Sequence, residues 1–329
     1  MSPTVRKAYS RPMDNSQRGE TGRRLFRHLD TVHAASYFAP EVAEALAGVG
    51  LDHPAGQYLA SRTAPLGAVP SAVVTATFYN FAPAHVARHV PGCWDVATPR
   101  EILDARTRGV EALLARLFGP GENAAGTDGA RSAVVERSLT AREITARLQP
   151  VLDELPDDGR PLFAAHRSAF DGGVLTESPD LQAFMDLWIG CTLVREFRGD
   201  GHIGALLSHG LTGLEALVLH CATGTTFTPR AARRSRGWTE EEWADAEDAL
   251  REHGLLTGSG DEARITDAGA RLREEIEAVT DTSSAQVWKG FDDAALMSLA
   301  SAVRDLSRVV VSAEAFPAKV FRPASGRVR

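Results

Sequence analysis

Lysine is almost missing from this chain. Only Lys7, Lys289 and Lys319 occur, so 33 of the 36 basic residues are arginines. With a matching excess of alanine, this bias points to a GC-rich genome rather than to a particular chemistry. Cysteine is scarce too. Cys93, Cys191 and Cys221 are odd in number and none sits in a CxxC pair, which predicts neither a disulfide framework nor a zinc site. Three free, buried thiols in a cytoplasmic protein are the expectation. Every long apolar stretch is broken by Arg, Glu or His, so no membrane span is expected. Residues 1–22 are polar, carry Arg and Pro, and lack the apolar core of a signal peptide; they read as a disordered leader. Walker A, GxSxG and HExxH motifs are all absent, so no P-loop, hydrolase or metal signature names a reaction or a cofactor.

What is present is a globular composition. The 329 residues are 43% hydrophobic and 24% charged, which argues against wholesale disorder, collagen or a coiled coil. They suffice for two ordinary domains or one large one. Helical spacing dominates. Residues 23–118 read as an N-terminal helical region, with Thr98-Pro99-Arg100-Glu101 as a capped helix start. The stretch 119–139 contains a Gly-rich polar run and reads as a flexible loop. Residues 140–211 read as central helices. Within them 181–198 is apolar nearly all round, and Arg-Gly-Asp-Gly-His at 198–202 should interrupt or end that helix.

From Thr212 the signals sharpen. Thr212 with Glu215, and Thr239 with Glu242, form capping boxes. Thr228-Pro229 opens a helix between them. Leu255-Leu256-Thr257 can pair with Ala263-Arg264-Ile265-Thr266 across a Gly-Ser-Gly-Asp turn. The order helix, helix, helix, two-stranded wing, helix over 212–285 is that of a winged helix-turn-helix. A helix within 286–315 follows, which could pack or dimerise, then a tail over 316–329. The expected class is mainly α, with an N-terminal helical region, a C-terminal winged helix-turn-helix and a small two-stranded wing.

The segment RGWTEEEWADAEDALREHGLL, followed by ITDAGARLREEIEAVTD, resembles actinobacterial winged-helix proteins of the SalK or MarR-like type. YLASRTAPLGAVPSAVVTATFYNFAP and LVREFRGDGHIGALLSHGLTGLEALVLHCATG carry the resemblance over most of residues 25–310. It implies the fold. The MarR-like label rests on the winged helix, and a fold does not by itself carry a function.

Charge is distributed unevenly. The chain has 36 basic and 43 acidic residues, a net of −7. Residues 212–285 hold 8 bases and 15 acids, so the whole excess lies there. Most of it falls on the third helix, where Glu240, Glu241, Glu242, Asp245, Glu247, Asp248 and Glu252 face Arg251 alone. That helix would normally enter the major groove, and DNA affinity comes largely from protein cations. The counter-signal is Arg230, Arg233, Arg234 and Arg236 on the second helix: phosphate contacts, or partners for the acidic helix beside them.

Arg195, Glu196, Arg198, Asp200 and His202 concentrate polar groups beside a buried helix. Arg195 and Arg198, spaced i, i+3, share a face and could clamp a carboxylate or phosphate. His202 with Asp200 could move a proton. Arg62 and Tyr79, near a loop and an aromatic helix, could line the same pocket. The bland alternative is an Arg–carboxylate network tying helices together. His202, His209 and His220 would share a face only on an unbroken helix, so no metal or haem site is expected; the i, i+4 pair His85 and His89 reads as a solvated face.

The expectation is a ligand-binding protein, or a specialised-metabolism enzyme, holding an anionic or aromatic small molecule with Arg62, Tyr79, Arg195 and Arg198. His202 and Asp200 would be its acid–base pair. The rivals are a MarR-like DNA-binding regulator, a winged-helix DNA-repair or self-resistance enzyme, and a scaffold without a ligand.

Overall fold

The computed structural model describes residues 13, 15–119, 128–176 and 178–328. Most helices begin where the sequence supplies an acceptor for the free amide groups of a first turn. The N-terminal half holds α1 (Asn15–Ala34), α2 (Pro40–Ala47), α3 (Pro54–Thr63), α4 (Ser71–Thr77), α5 (Pro83–Ala87), α6 (Cys93–Val96) and α7 (Pro99–Phe118). The middle holds α8 (Asp128–Glu154), α9 (Pro161–Ala169) and α10 (Pro179–Ser208). Then come α11 (Gly213–Ala222), α12 (Pro229–Arg236), α13 (Glu240–Glu252), the strands β1 (Leu256–Thr257) and β2 (Arg264–Ile265), α14 (Asp267–Ser284) and α15 (Asp293–Ser312).

The capping boxes form as spaced. In Thr98/Glu101, Thr212/Glu215 and Thr239/Glu242 the hydroxyl accepts from the third backbone N–H, and the Glu carboxylate accepts from the Thr backbone. The two strands pair antiparallel with Leu256 opposite Ile265 and Thr257 opposite Arg264. The protein is therefore mainly helical with one small sheet among its described residues.

Two apolar cores form. The larger gathers α1, α7, α8, α15 and most of α10 around Trp188, Phe163 and Phe197. The smaller joins α11 and α13 with Leu256 and Ile276. Ala205 and Leu206, at the end of α10, belong to the smaller one, so α10 runs through both.

Three expectations need correction. Arg-Gly-Asp-Gly-His does not interrupt α10, which is continuous to Ser208. The glycine at 201 serves close packing instead: a Cβ there would collide with the Arg160 guanidinium and the Ser283 hydroxyl. Arg160 donates to the Phe197 carbonyl at 2.5 Å and the Ser283 carbonyl at 2.8 Å, joining α10 to α14 through this gap. The loop expected over 119–139 already becomes helix at Asp128, because Ala141, Ile144, Leu148 and Leu152 bury one face of α8; residues 120–127 lie outside the described residues. Of the leader over 1–22, residues 1–12 and 14 lie outside them too, and α1 is helical from Asn15. The break expected between His209 and Thr212 is present, and the chain bends by 102° from α10 into α11.

Two connections hold the cores together. In the first, residues 79–82 dock on α11 and α12. The Tyr79 hydroxyl donates to the Leu211 carbonyl at 2.5 Å, Trp238 Nε1 to the Asn80 carbonyl at 2.9 Å, and the Ala82 amide to the Arg236 carbonyl at 2.9 Å. The second is the segment after α15. Its Phe321 forms a β-bridge with Phe227, the Thr228 amide donates to Val320, and the Arg322 amide donates to Thr226. Gly213 starts α11 with its Cα against the Tyr79 carbonyl, where a Cβ has no room. Gly213→Ala is expected to lower stability by about 1–3 kcal/mol through this overpacking. Gly204→Ala, in an open position on α10, should raise it by up to about 1 kcal/mol. Urea midpoints of the two variants against the parent check both signs.

Candidate functional site

Between the two cores lies a cleft of about 1910 Å³. Helices α1, α3 and α10 form one wall. The other comes from α11, α12, α14 and the segment after α15. Arg62, Tyr79, Arg195, Arg198 and His202 all line it, so the structure brings together five residues from three distant parts of the sequence.

Three arginines of the first wall are already neutralised. Arg62 Nη2 donates to both carboxylate oxygens of Glu196 at 3.0 Å, and its Nη1 donates to the Tyr58 hydroxyl at 2.9 Å. Its guanidinium lies 4.4 Å from the centroid of the Phe78 ring. Arg195 reaches Glu196 at 2.8 Å and Asp30 at 3.1 Å. Arg327 holds the other oxygen of Asp30. Arg198 bonds Glu277 and Asp281 of α14, both at 2.7 Å. Burial pushes the Glu196 carboxyl up, but the guanidiniums of Arg62 and Arg195 outweigh it and hold this carboxyl well below the usual range. Glu277, opposed in the same way by Arg198, is held near 2 despite its burial. The clamp expected from Arg62, Arg195 and Arg198 is thus a set of internal ion pairs.

Asp200 is not among the cleft residues. Its Oδ2 accepts the backbone N–H groups of Leu162 and Phe163 at 3.0 Å each, capping α9, and its Oδ1 is buried without a partner. Burial pushes its carboxyl up to about 7. His202 does face the cleft, but without Asp200 as its partner. Its Nδ1 lies 2.9 Å from the Thr280 hydroxyl, which itself donates to the Ile276 carbonyl at 2.7 Å. The His202 Nδ1 proton therefore goes to Thr280, and Nε2 is left as the basic nitrogen. His220 lines the cleft as well; burial, with Arg273 and His202 nearby, pushes its imidazole down to about 3.

The four arginines singled out for DNA separate. Arg233 bonds Glu240 of α13 at 2.6 Å. Arg230 and Arg234 stand exposed on the cleft rim without a carboxylate partner. Arg236 enters the cleft, its guanidinium 4.8 Å from the Phe227 centroid and 5.2 Å from that of Phe81. Arg273 of α14 lines the same wall. In all, ten arginines and Lys319 border the cleft against the four carboxylates of Asp30, Glu196, Glu274 and Glu277. Arg273 and the segment carrying Phe321 escaped sequence reasoning as site residues, while Arg236 and His220 were singled out for DNA and for a metal face rather than for this cleft. No local signal marks them, because only the packing of α11, α12 and α14 turns them inward.

Outward-facing α13 is the opposite. Glu240, Glu241, Glu242, Asp245, Asp248 and Glu252 are exposed. Glu247 is buried and accepts from Trp243 Nε1 at 3.0 Å and from the Gly260 amide at 2.9 Å, tying α13 to the hairpin turn. Among the described residues no three His, Cys, Asp or Glu side chains are grouped to hold a metal ion. His89 stacks on His53 at 4.7 Å and meets His85 edge-on, so this pair is packed rather than solvated. Cys93, Cys191 and Cys221 are buried and free. No single described helix is long and apolar enough to cross a membrane.

Two outcomes follow from these charges. Glu196→Ala strips a buried guanidinium of its counter-charge and should destabilise the fold by about 3–5 kcal/mol in chemical denaturation. For Asp200 the folded pKa lies above the unfolded one, so its contribution to stability is present in full below about pH 4 and lost as pH rises through about 7. Asp200→Asn should match the parent near pH 4 and exceed it increasingly up to pH 7.5. A difference in urea midpoint that stays flat across that range would refute the assignment.

A sequence-family model described as a helix-turn-helix family matches residues 22–317. No curated protein and no solved structure matches the chain. The family match extends over most of the N-terminal helices, α8 to α15 and all of the cleft's lining except the segment from Lys319 onward, and by it the chain belongs to a helix-turn-helix family.

Proposed function

We propose that this protein binds a small anionic molecule, with an aromatic or otherwise apolar body, in the cleft between its two cores. The observation that carries this reading is the charge of the cleft. A chain with a net charge of −7 gathers eleven cationic side chains against four carboxylates in one concavity, and those four are already engaged or contested by neighbouring arginines. Aromatic rings from Tyr58, Phe78, Phe81 and Phe227 stand among them, the mixture of apolar walls and a few directed polar groups that small-ligand sites use. On this reading α11 to α14 with the hairpin form a winged helix whose second helix serves as a wall of the pocket. His202, with Nε2 as its free base, is the group that would take a proton from the bound molecule.

DNA binding is the second reading. Membership of a helix-turn-helix family favours it, and exposed Arg230 and Arg234 are its cations. The six exposed carboxylates of α13 oppose it, since flanking phosphates repel an acidic helix in the groove. Mass spectrometry of small molecules released on denaturing protein purified from its host, with duplex titrations at low and physiological salt, separates the two. The expected result is a retained organic anion and only weak, salt-sensitive DNA binding. A ligand-free protein that binds a duplex at nanomolar affinity in about 0.15 M salt would overturn the proposal, and Arg230→Ala and Arg234→Ala should then each lower the salt slope by about one.

A further inference from the structure

The cationic surplus of the cleft is not spread evenly. On the wall made by α1, α3 and α10, Arg62, Arg195 and Arg198 are each paired with carboxylates at 3.1 Å or less. On the facing wall Arg236 and Arg273 make no ion pair. Arg236 donates through Nη1 to the Ser235 hydroxyl at 2.7 Å, and its buried Nε has no acceptor. Glu274 and Glu277, the carboxylates whose charge reaches Arg273, make their ion pairs elsewhere, with Arg23 and Arg198. Arg236, Arg273 and His220 at the end of α11 all line this cleft. A half-buried cation without a counter-ion costs stability, and its retention is explained when a ligand supplies the missing charge.

We propose that Arg236 and Arg273 are the anion subsite of the cleft, receiving the carboxylate or phosphate head of a ligand whose ring-bearing body rests on Phe81 and Phe227. The Phe81 and Phe227 rings lie 5.2 and 4.8 Å from the Arg236 guanidinium carbon. With Nη1 taken by Ser235, the remaining N–H groups of Arg236 and those of Arg273 would receive the oxyanion. This assignment rests on the reading of the cleft as a small-molecule site.

The test uses two fluorescent probes of similar shape, anionic 8-anilinonaphthalene-1-sulfonate and neutral N-phenyl-1-naphthylamine. The intact protein should bind both, the anion more tightly. Arg236→Gln and Arg273→Gln should each weaken the anionic probe by about tenfold, the loss of one charge-assisted hydrogen bond, and change the neutral probe by less than about twofold. Benzoate or phenyl phosphate should displace the anionic probe from the parent but not from Arg236→Gln, and whichever competes better identifies the head group. Arg236→Met should keep or raise the melting temperature while losing the anion preference, a combination that a structural arginine would not give. If the variants weaken both probes equally, or neither, or if neither acid competes, the subsite is wrong although the cleft binds ligands. If the intact protein binds neither probe, the cleft reading itself falls.

Discussion

The Glu196 carboxylate sits at the centre of the first core's polar wiring, 1% exposed and bonded by two guanidiniums. Burying it alone would be prohibitive. Arg62 of α3 and Arg195 of its own helix make it tolerable, and Arg195 in turn recruits Asp30 of α1. Asp30 also receives Arg327 from the far end of the chain. Four separate segments are thus placed by one buried negative charge and its partners. The cleft exists where this network stops and the second core has not yet begun.

The same accounting explains why the opposite wall behaves differently. Arg198 reaches across from α10 to α14 and takes up Glu277 and Asp281, while Arg23 takes Glu274 and Asp281. These pairs consume the carboxylates that α14 offers to the cleft. The acids that give the chain its negative sum stand mostly on the outer face of α13, pointing away. A protein acidic as a whole is therefore cationic inside this cleft. Field strength in such a site is greater than in water because the surrounding dielectric is low.

Much of the second half of the fold was legible in the sequence. Thr212/Glu215 and Thr239/Glu242 mark helix starts by local hydrogen bonding alone, and the hairpin register follows from its Gly-rich turn. Contributions set by remote partners were not legible. Glycine in Arg-Gly-Asp-Gly-His reads locally as a breaker, but packing of Arg160 against Gly201 makes it a requirement of an unbroken helix. Asp128-Gly-Ala-Arg reads as loop, yet it forms the first, mostly exposed turn of α8, a helix whose buried face begins only at Ser138. The candidate site divides along the same line. Arg62, Tyr79, Arg195, Arg198 and His202 do meet, because polar groups in apolar surroundings have few places to go. That Arg198 answers to α14, and that Asp200 caps α9, depends on contacts spanning 37 to 83 residues. No window of sequence holds them.

The contact between Asp30 and Arg327 spans 297 residues. Loop-closure entropy grows with the logarithm of that separation, so this contact forms only after the helices on both sides have already brought the ends near. Local helices and their neighbours assemble first, and pairings of high contact order come late. The β-bridge from Phe227 to Phe321 belongs to the same late class. Both contacts hold the C-terminal segment against the cleft, so the shape of that wall depends on pairings that close long loops and is the first thing that loosening of the chain's end would undo.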